Sequence, residues 1–144
     1  MDRNPTSALM KMLGQTDNIE SFIDAFEHDL AVQPFHVLVT GMAHERNITV
    51  AQVIDRACMN ESYCYQLFKG TRKPSRDKII QLSFGMGLNL EETNRLLRAA
   101  EKSELYCRNK RDAVIMFGLN NRKSILDIEA ILLAKGFELL IEGT

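Results

Sequence analysis

Ile48-Thr49-Val50-Ala51-Gln52-Val53-Ile54-Asp55-Arg56-Ala57-Cys58-Met59-Asn60-Glu61-Ser62-Tyr63-Cys64-Tyr65-Gln66-Leu67-Phe68-Lys69-Gly70-Thr71-Arg72-Lys73-Pro74-Ser75 reads as two short capped helices with a tight turn between them. Thr49 is a good N-cap for a helix over Val50 to Ala57, and Asn60 caps a second from Glu61 to Lys69, because short polar side chains satisfy the free N–H groups of a first turn. Gly70 ends that helix, since glycine tolerates the left-handed conformation that closes a helix C-terminus. Thr71 to Ser75 must then be a loop, and Ser75 caps a third helix, Arg76 to Met86, that buries Ile79, Ile80, Leu82 and Met86.

Outward from this segment the apolar residues keep helical rather than alternating spacing, and no convincing strand is found. Towards the N-terminus, Pro34 begins a helix through about Glu45 with Phe35, Leu38, Val39 and Met42 inward. Before it, Asp17 is expected to cap a helix from about Asn18 to Leu30 with Ile19, Phe22, Ile23, Phe26 and Leu30 on one stripe and acids on the other face. Towards the C-terminus, Gly87 stops the Arg76 helix, and Leu90 to Ala100 forms another with Leu96 and Leu97 inside. Residues 101 to 104 make a tether. Two further helices, about Asn109 to Leu119 and about Ile125 to Lys135, are expected as a pair, with Ser124 as cap and Gly136 as terminator. The expected architecture is all-α: an acidic helical arm (1–33), a helical core (34–101) and a C-terminal helical extension packed on that core (102–144).

The chain has 144 residues, enough for one domain with a real core, and its 45% hydrophobic and 26% charged content is that of a globular protein. Net charge is −1, but it is unevenly spread: residues 1–44 sum to −4, residues 45–78 to +3 and the remainder to zero. The basic excess therefore coincides with the segment quoted above. Apolar runs are too short to span a bilayer and no basic N-terminal region leads into a long apolar core, so a cytoplasmic location is expected. Cys58, Cys64 and Cys107 fit neither a disulfide framework nor zinc-ligand spacing and are expected to be buried or idle thiols. His28, His36 and His44 lack ligand spacing, so no metal is expected. No Gly-rich phosphate loop, nucleophile elbow or paired-acid arrangement is evident; neither an enzyme nor a cofactor is expected.

The central segment resembles the lambda-repressor-like, or XRE, helix-turn-helix family, whose pattern is a capped short helix, a tight turn, a recognition helix, then glycine, a basic loop and Pro-Ser. Val53, Met59, Cys64 and Leu67 take the family's core positions, and Gly70, Lys73, Pro74 and Ser75 match the loop. The resemblance covers residues 35 to about 100. It is especially close to small bacterial helix-turn-helix proteins carrying the elements found here as Tyr63-Cys64-Tyr65-Gln66, Lys73-Pro74-Ser75-Arg76-Asp77-Lys78 and Tyr106 to Asp112. It implies a five-helix DNA-binding core, a transcriptional regulator, double-stranded DNA as partner and a homodimer whose seam lies either in the extra pair 109–135 or on the acidic helix 18–30.

With Met59, Cys64 and Leu67 inward, the second helix would turn Glu61, Ser62, Tyr63, Tyr65, Gln66 and Lys69 outward, one of the two tyrosines packing against a neighbour. Gln66 suits adenine, and Ser62 a base or phosphate. Thr49, Gln52, Thr71, Arg72, Lys73 and Arg76 flank the groove and are expected on phosphates. Glu61 stands against this, since a carboxylate repels phosphate and accepts only from cytosine. It motivates the alternative: a protein-interaction adaptor, including an antitoxin-like role, that keeps the fold without binding DNA.

Overall fold

The computed structural model describes residues 6–30 and 33–141, with the side chains of 26–30 outside the description. Among these residues every regular element is a helix: α1 (Thr6–Gln15), α2 (Ile19–Leu30), α3 (Phe35–Glu45), α4 (Val50–Ala57), α5 (Glu61–Lys69), α6 (Arg76–Met86), α7 (Leu90–Ala99), α8 (Lys110–Asn120) and α9 (Ile125–Lys135). The chain divides into two compact units, residues 1–33 and 34–144.

In the first unit, α1 is not among the helices expected from the sequence, although Leu9, Met12 and Leu13 follow helical spacing; it has no buried residue, and Met10 and Leu13 are exposed. The cap of α2 is Asn18 rather than Asp17: its Oδ1 accepts the Ser21 N–H at 3.1 Å, because the cap must immediately precede the first helical residue, Ile19. Of the expected α2 stripe, Phe22 is buried while Ile19 and Ile23 are exposed. The Phe26 and Leu30 side chains lie outside the described residues.

The second unit holds one hydrophobic core drawn from α3 to α9. Its centre is α6, on which every residue from Ile79 to Met86 is buried. A helix covered on all sides needs close neighbours, and Gly85 permits one: a Cβ there would lie 2.6 Å from Ala57 Cβ and 2.9 Å from Ala57 N, so α4 crosses α6 where both side chains are minimal. In this unit the caps read from the sequence at Thr49, Asn60, Ser75 and Ser124 are formed. Thr49 Oγ1 accepts from Gln52 N at 3.2 Å and Gln52 Oε1 from Thr49 N at 3.0 Å, a reciprocal capping box. Ser75 and Ser124 cap α6 and α9 as expected, and Asn89 and Asn109, which were not read as caps, cap α7 and α8, so α8 begins at Lys110. Pro34 takes the N-cap position of α3 rather than its first turn, and α7 ends at Ala99. Gly70 has φ of +81° with the His36 ring 2.6 Å from where its Cβ would be, so both conformation and space demand glycine.

Two ion pairs tie α6 to α8. The Arg76 guanidinium donates to Asp112 Oδ1 at 3.0 Å and Oδ2 at 2.8 Å, and Arg111 donates to Asp77 at 2.9 and 3.1 Å. Beyond α9, buried Glu129 accepts the Leu140 N–H at 2.7 Å and the Ile141 N–H at 3.2 Å, and Arg111 Nε donates to the Glu138 carbonyl at 2.9 Å. The segment after α9 is therefore pinned by a carboxylate from inside and a guanidinium from outside, which satisfies backbone groups that lack a helix.

Candidate nucleic-acid interface

The turn between α4 and α5 is set from beneath. Cys58 closes α4 in the left-handed conformation, φ +54°, a place where glycine is usual. Gln81, wholly buried on α6, donates its amide N–H groups to the carbonyls of Ala57 at 2.8 Å and Cys58 at 3.1 Å, capping the end of α4 from the core. Asn60 Oδ1 then accepts the Tyr63 N–H at 3.0 Å and starts α5. Cys64, Leu67 and Phe68 lock the inner face of α5 into the core. Burial pushes the Cys64 thiol up to about 11, so it is a neutral packing group.

On the outer face Ser62, Tyr65 and Lys69 are exposed, and Tyr63 and Gln66 are half-buried. Of the two tyrosines, Tyr63 packs against the core and Tyr65 faces solvent. Ser62 and Gln66, one helical turn apart, form a crest with a hollow on either side. The larger hollow is an open groove of about 690 Å³ between α5 and the loop before α6, lined by Tyr63, Arg72, Lys73 and Lys78 among others. The smaller, about 440 Å³, is lined by Glu61, Tyr65 and Lys69 with the crest residues. Glu61 therefore borders the smaller hollow, whereas the cations of the loop border the larger.

Tyr63 organises the larger groove. The Arg72 guanidinium lies 4.9 Å from its ring centroid and the Lys78 ammonium 6.0 Å, both in cation–π range. Arg72 Nη1 also donates to Gln66 Oε1 at 3.4 Å, and Lys78 Nζ to Gln81 Oε1 at 2.9 Å. The groove is thus a cationic wall pre-positioned beside a polar crest, connected through Gln81 to the carbonyls that end α4.

Not every expected contact residue joins this surface. Thr49 and Gln52 are exposed but engage each other in the capping box and do not line either hollow. Thr71 Oγ1 donates to the Gln66 carbonyl at 3.4 Å, closing the end of α5. Arg76 requires the larger correction. Besides Asp112, it donates through Nε to the Ser103 carbonyl and through Nη2 to the Glu104 carbonyl, both at 3.0 Å, so four hydrogen bonds hold it on the α8 side of α6. Its bond to Asp112 raises its affinity for the proton further, and it is a structural cation here. Lys78, which the sequence reading omits from the contact set, lines the groove instead. Two positions apart on a helix point some 200° apart, so Arg76 and Lys78 cannot share one face. The signal available beforehand was only membership in the basic run Lys73 to Lys78. Ile141, also unanticipated, lines the same groove.

No protein-family model, curated protein or solved structure matches this chain. Among the described residues no helix is long and apolar enough to cross a membrane.

Proposed function

We propose that this protein is a sequence-specific DNA-binding transcriptional regulator of the lambda-repressor-like helix-turn-helix kind, with α4 as the supporting helix, α5 as the recognition helix and a homodimer as the binding form. The observation that carries it is the Ser62–Gln66 crest, Ser62 exposed and Gln66 half-buried, braced by buried Cys64 and Leu67 and walled by Arg72, Lys73 and Lys78. A helix enters the major groove only if one face is locked to its scaffold while the other offers groups that reach base edges. Gln66 pairs with adenine through its amide, Ser62 and Tyr65 lie alongside, and Lys69 and the loop cations take phosphates. Arg72 and Lys73 supply charge without sequence information.

Titration of genomic fragments by anisotropy across a salt series tests this. Lys73→Gln and Arg72→Gln should each weaken binding across all sequences and reduce the slope of log K against log salt by about 1, whereas Gln66→Ala should relax preference at one base. Affinity indifferent to salt and to these substitutions refutes it.

One observation favours the adaptor reading. The smaller hollow sets Glu61 beside exposed Tyr65, an acidic and aromatic pair suited to a protein partner. A stoichiometric partner covering Tyr65, with no DNA retained, would establish that role in place of the first.

A further inference from the structure

At the far end of α6 from the candidate interface the second unit has another hollow, of about 670 Å³. The groove beside α5 takes in Ser75, the cap of α6, whereas this hollow takes in Gly87 at the other end, and a helical rise of about 1.5 Å per residue sets the two ends roughly 18 Å apart. Its floor is an apolar layer of Phe84, Leu88, Leu119 and Ile125, all buried. A Cβ on Gly118 would strike the Ile128 side chain and come within 3.1 Å of the Phe84 ring, so α8 closes down on α6 and α9 beneath the hollow.

The rim is cationic. Arg46, Arg56, Arg122 and Lys123 line it, and the one acid among the described lining residues is Glu92. That acid is occupied by Arg46, whose Nη2 donates to both carboxylate oxygens, at 2.5 and 2.6 Å. Among the described residues no carboxylate pairs with Arg56, Arg122 or Lys123, whereas Arg76, Arg98 and Arg111 each have one. The connection that carries Arg122 and Lys123 is tied to the end of α8, the Arg122 N–H donating to the Leu119 carbonyl at 3.4 Å and the Lys123 N–H to the Gly118 carbonyl at 2.9 Å. Like charges gathered around a concave, low-dielectric wall reinforce one another's potential and draw anions.

We propose that this hollow binds a small organic phosphate of the nucleoside diphosphate class, its phosphoryl groups taken by Arg56, Arg122 and Lys123 and its planar body laid on the Phe84 and Leu119 floor. Small-molecule sites have volumes of about 300–1,000 Å³ and pair an apolar lining with a few placed polar groups. A monocarboxylate would leave two of the three cations uncompensated. A phosphoryl group carries roughly −1.5 to −2 at neutral pH and offers three acceptor oxygens, which guanidinium forks meet bidentately. Asn120 at the rim supplies an amide donor and acceptor of the kind that meets a base edge. The site goes beyond the DNA-binding reading and does not depend on it.

Isothermal titration of the full chain at low salt should give saturable ADP binding in the micromolar to submillimolar range, weakened by added salt. Pyrophosphate, which has the charge without the body, should bind at least tenfold more weakly. Arg122→Gln combined with Lys123→Gln, both at exposed positions, should keep the helical circular-dichroism spectrum and lower ADP affinity at least tenfold. In isotope-labelled protein, ADP should move the amide resonances of residues 84–89 and 119–125. Absence of ADP binding at millimolar concentration overturns the proposal, as does pyrophosphate binding as tightly as ADP, which would mark an adventitious ion only. An unchanged affinity in the double variant overturns it too, and so do shifts confined to residues 58–78, which would put ADP in the candidate interface. Loss of DNA affinity in the double variant, with no ADP bound by wild type, would assign these cations to a nucleic-acid backbone instead.

Discussion

Replacing Arg76 with glutamine distinguishes a structural cation from a phosphate contact. Arg76→Gln removes a charge and two hydrogen bonds to Asp112, together with those to the carbonyls of Ser103 and Glu104. It leaves the Asp112 carboxylate, only 5% exposed, with the Tyr106 N–H at 3.0 Å as its remaining side-chain partner. Breaking one side of a buried pair costs about 3–5 kcal/mol; the Arg76 side chain is one-quarter exposed, which places the loss near the lower end, about 3 kcal/mol. For a cooperative unit of this size that corresponds to a fall in Tm of roughly 10 °C.

The acid dependence follows from the same pair. Burial alone would raise the Asp112 pKa, but the hydrogen bond from Arg76, that from the Tyr106 N–H and the charges of Arg76 and Arg111 together hold it below its ordinary 3.8. The native protein therefore binds this proton less readily than the unfolded chain does. The stabilisation is complete above about pH 5 and is lost as pH falls through the depressed native value. The stability gap between wild type and Arg76→Gln should thus be widest near neutrality and shrink below about pH 4. Urea denaturation of both proteins at neutral and acid pH measures it. A variant as stable as wild type, with its DNA salt slope lowered by about 1, would put the guanidinium on phosphate and refute the structural assignment.

Gly85→Ala should destabilise the second unit by about 1–3 kcal/mol in urea unfolding, because its Cβ would lie 2.6 Å from that of Ala57 and the obstruction includes α4 backbone. A change within about 0.5 kcal/mol, the range of ordinary surface substitutions, would contradict the close crossing. Of the three thiols, exposed Cys58 and Cys107 should react with a disulfide reagent in the native protein, while Cys64, buried and raised to about 11, should react only on unfolding. Rapid modification of all three without denaturant would show that α5 is not locked to its scaffold.

Helix positions were legible because their signals are local. A cap such as Thr49, Asn60, Ser75 or Ser124 acts on N–H groups within three residues, and glycines 70, 87 and 136 end helices by conformations that most residues resist. The inner face of α5 was legible too, since periodicity alone separates Cys64 and Leu67 from Ser62 and Gln66. Helix α1 carries a short stripe, Leu9, Met12 and Leu13, that was legible but passed over, because no capping residue or glycine stop was read beside it.

What local pattern could not assign was the destination of each long polar side chain. Arg76 and Lys78 belong to one basic run, and both can reach a phosphate or a carboxylate. Asp112, 36 residues away, draws Arg76 to α8, and the opposite azimuth then leaves Lys78 with Tyr63 and Gln81 at the groove. Gln81 itself reads as an interruption in an apolar helix until the end of α4 is set above it. The sequence by itself determined the existence of α2 to α9, most of their ends and the polar crest of α5, because these depend on neighbours along the chain. Only the tertiary structure decided which cations are structural and which wall the groove, because a charge settles where the nearest desolvated counter-charge lies in space.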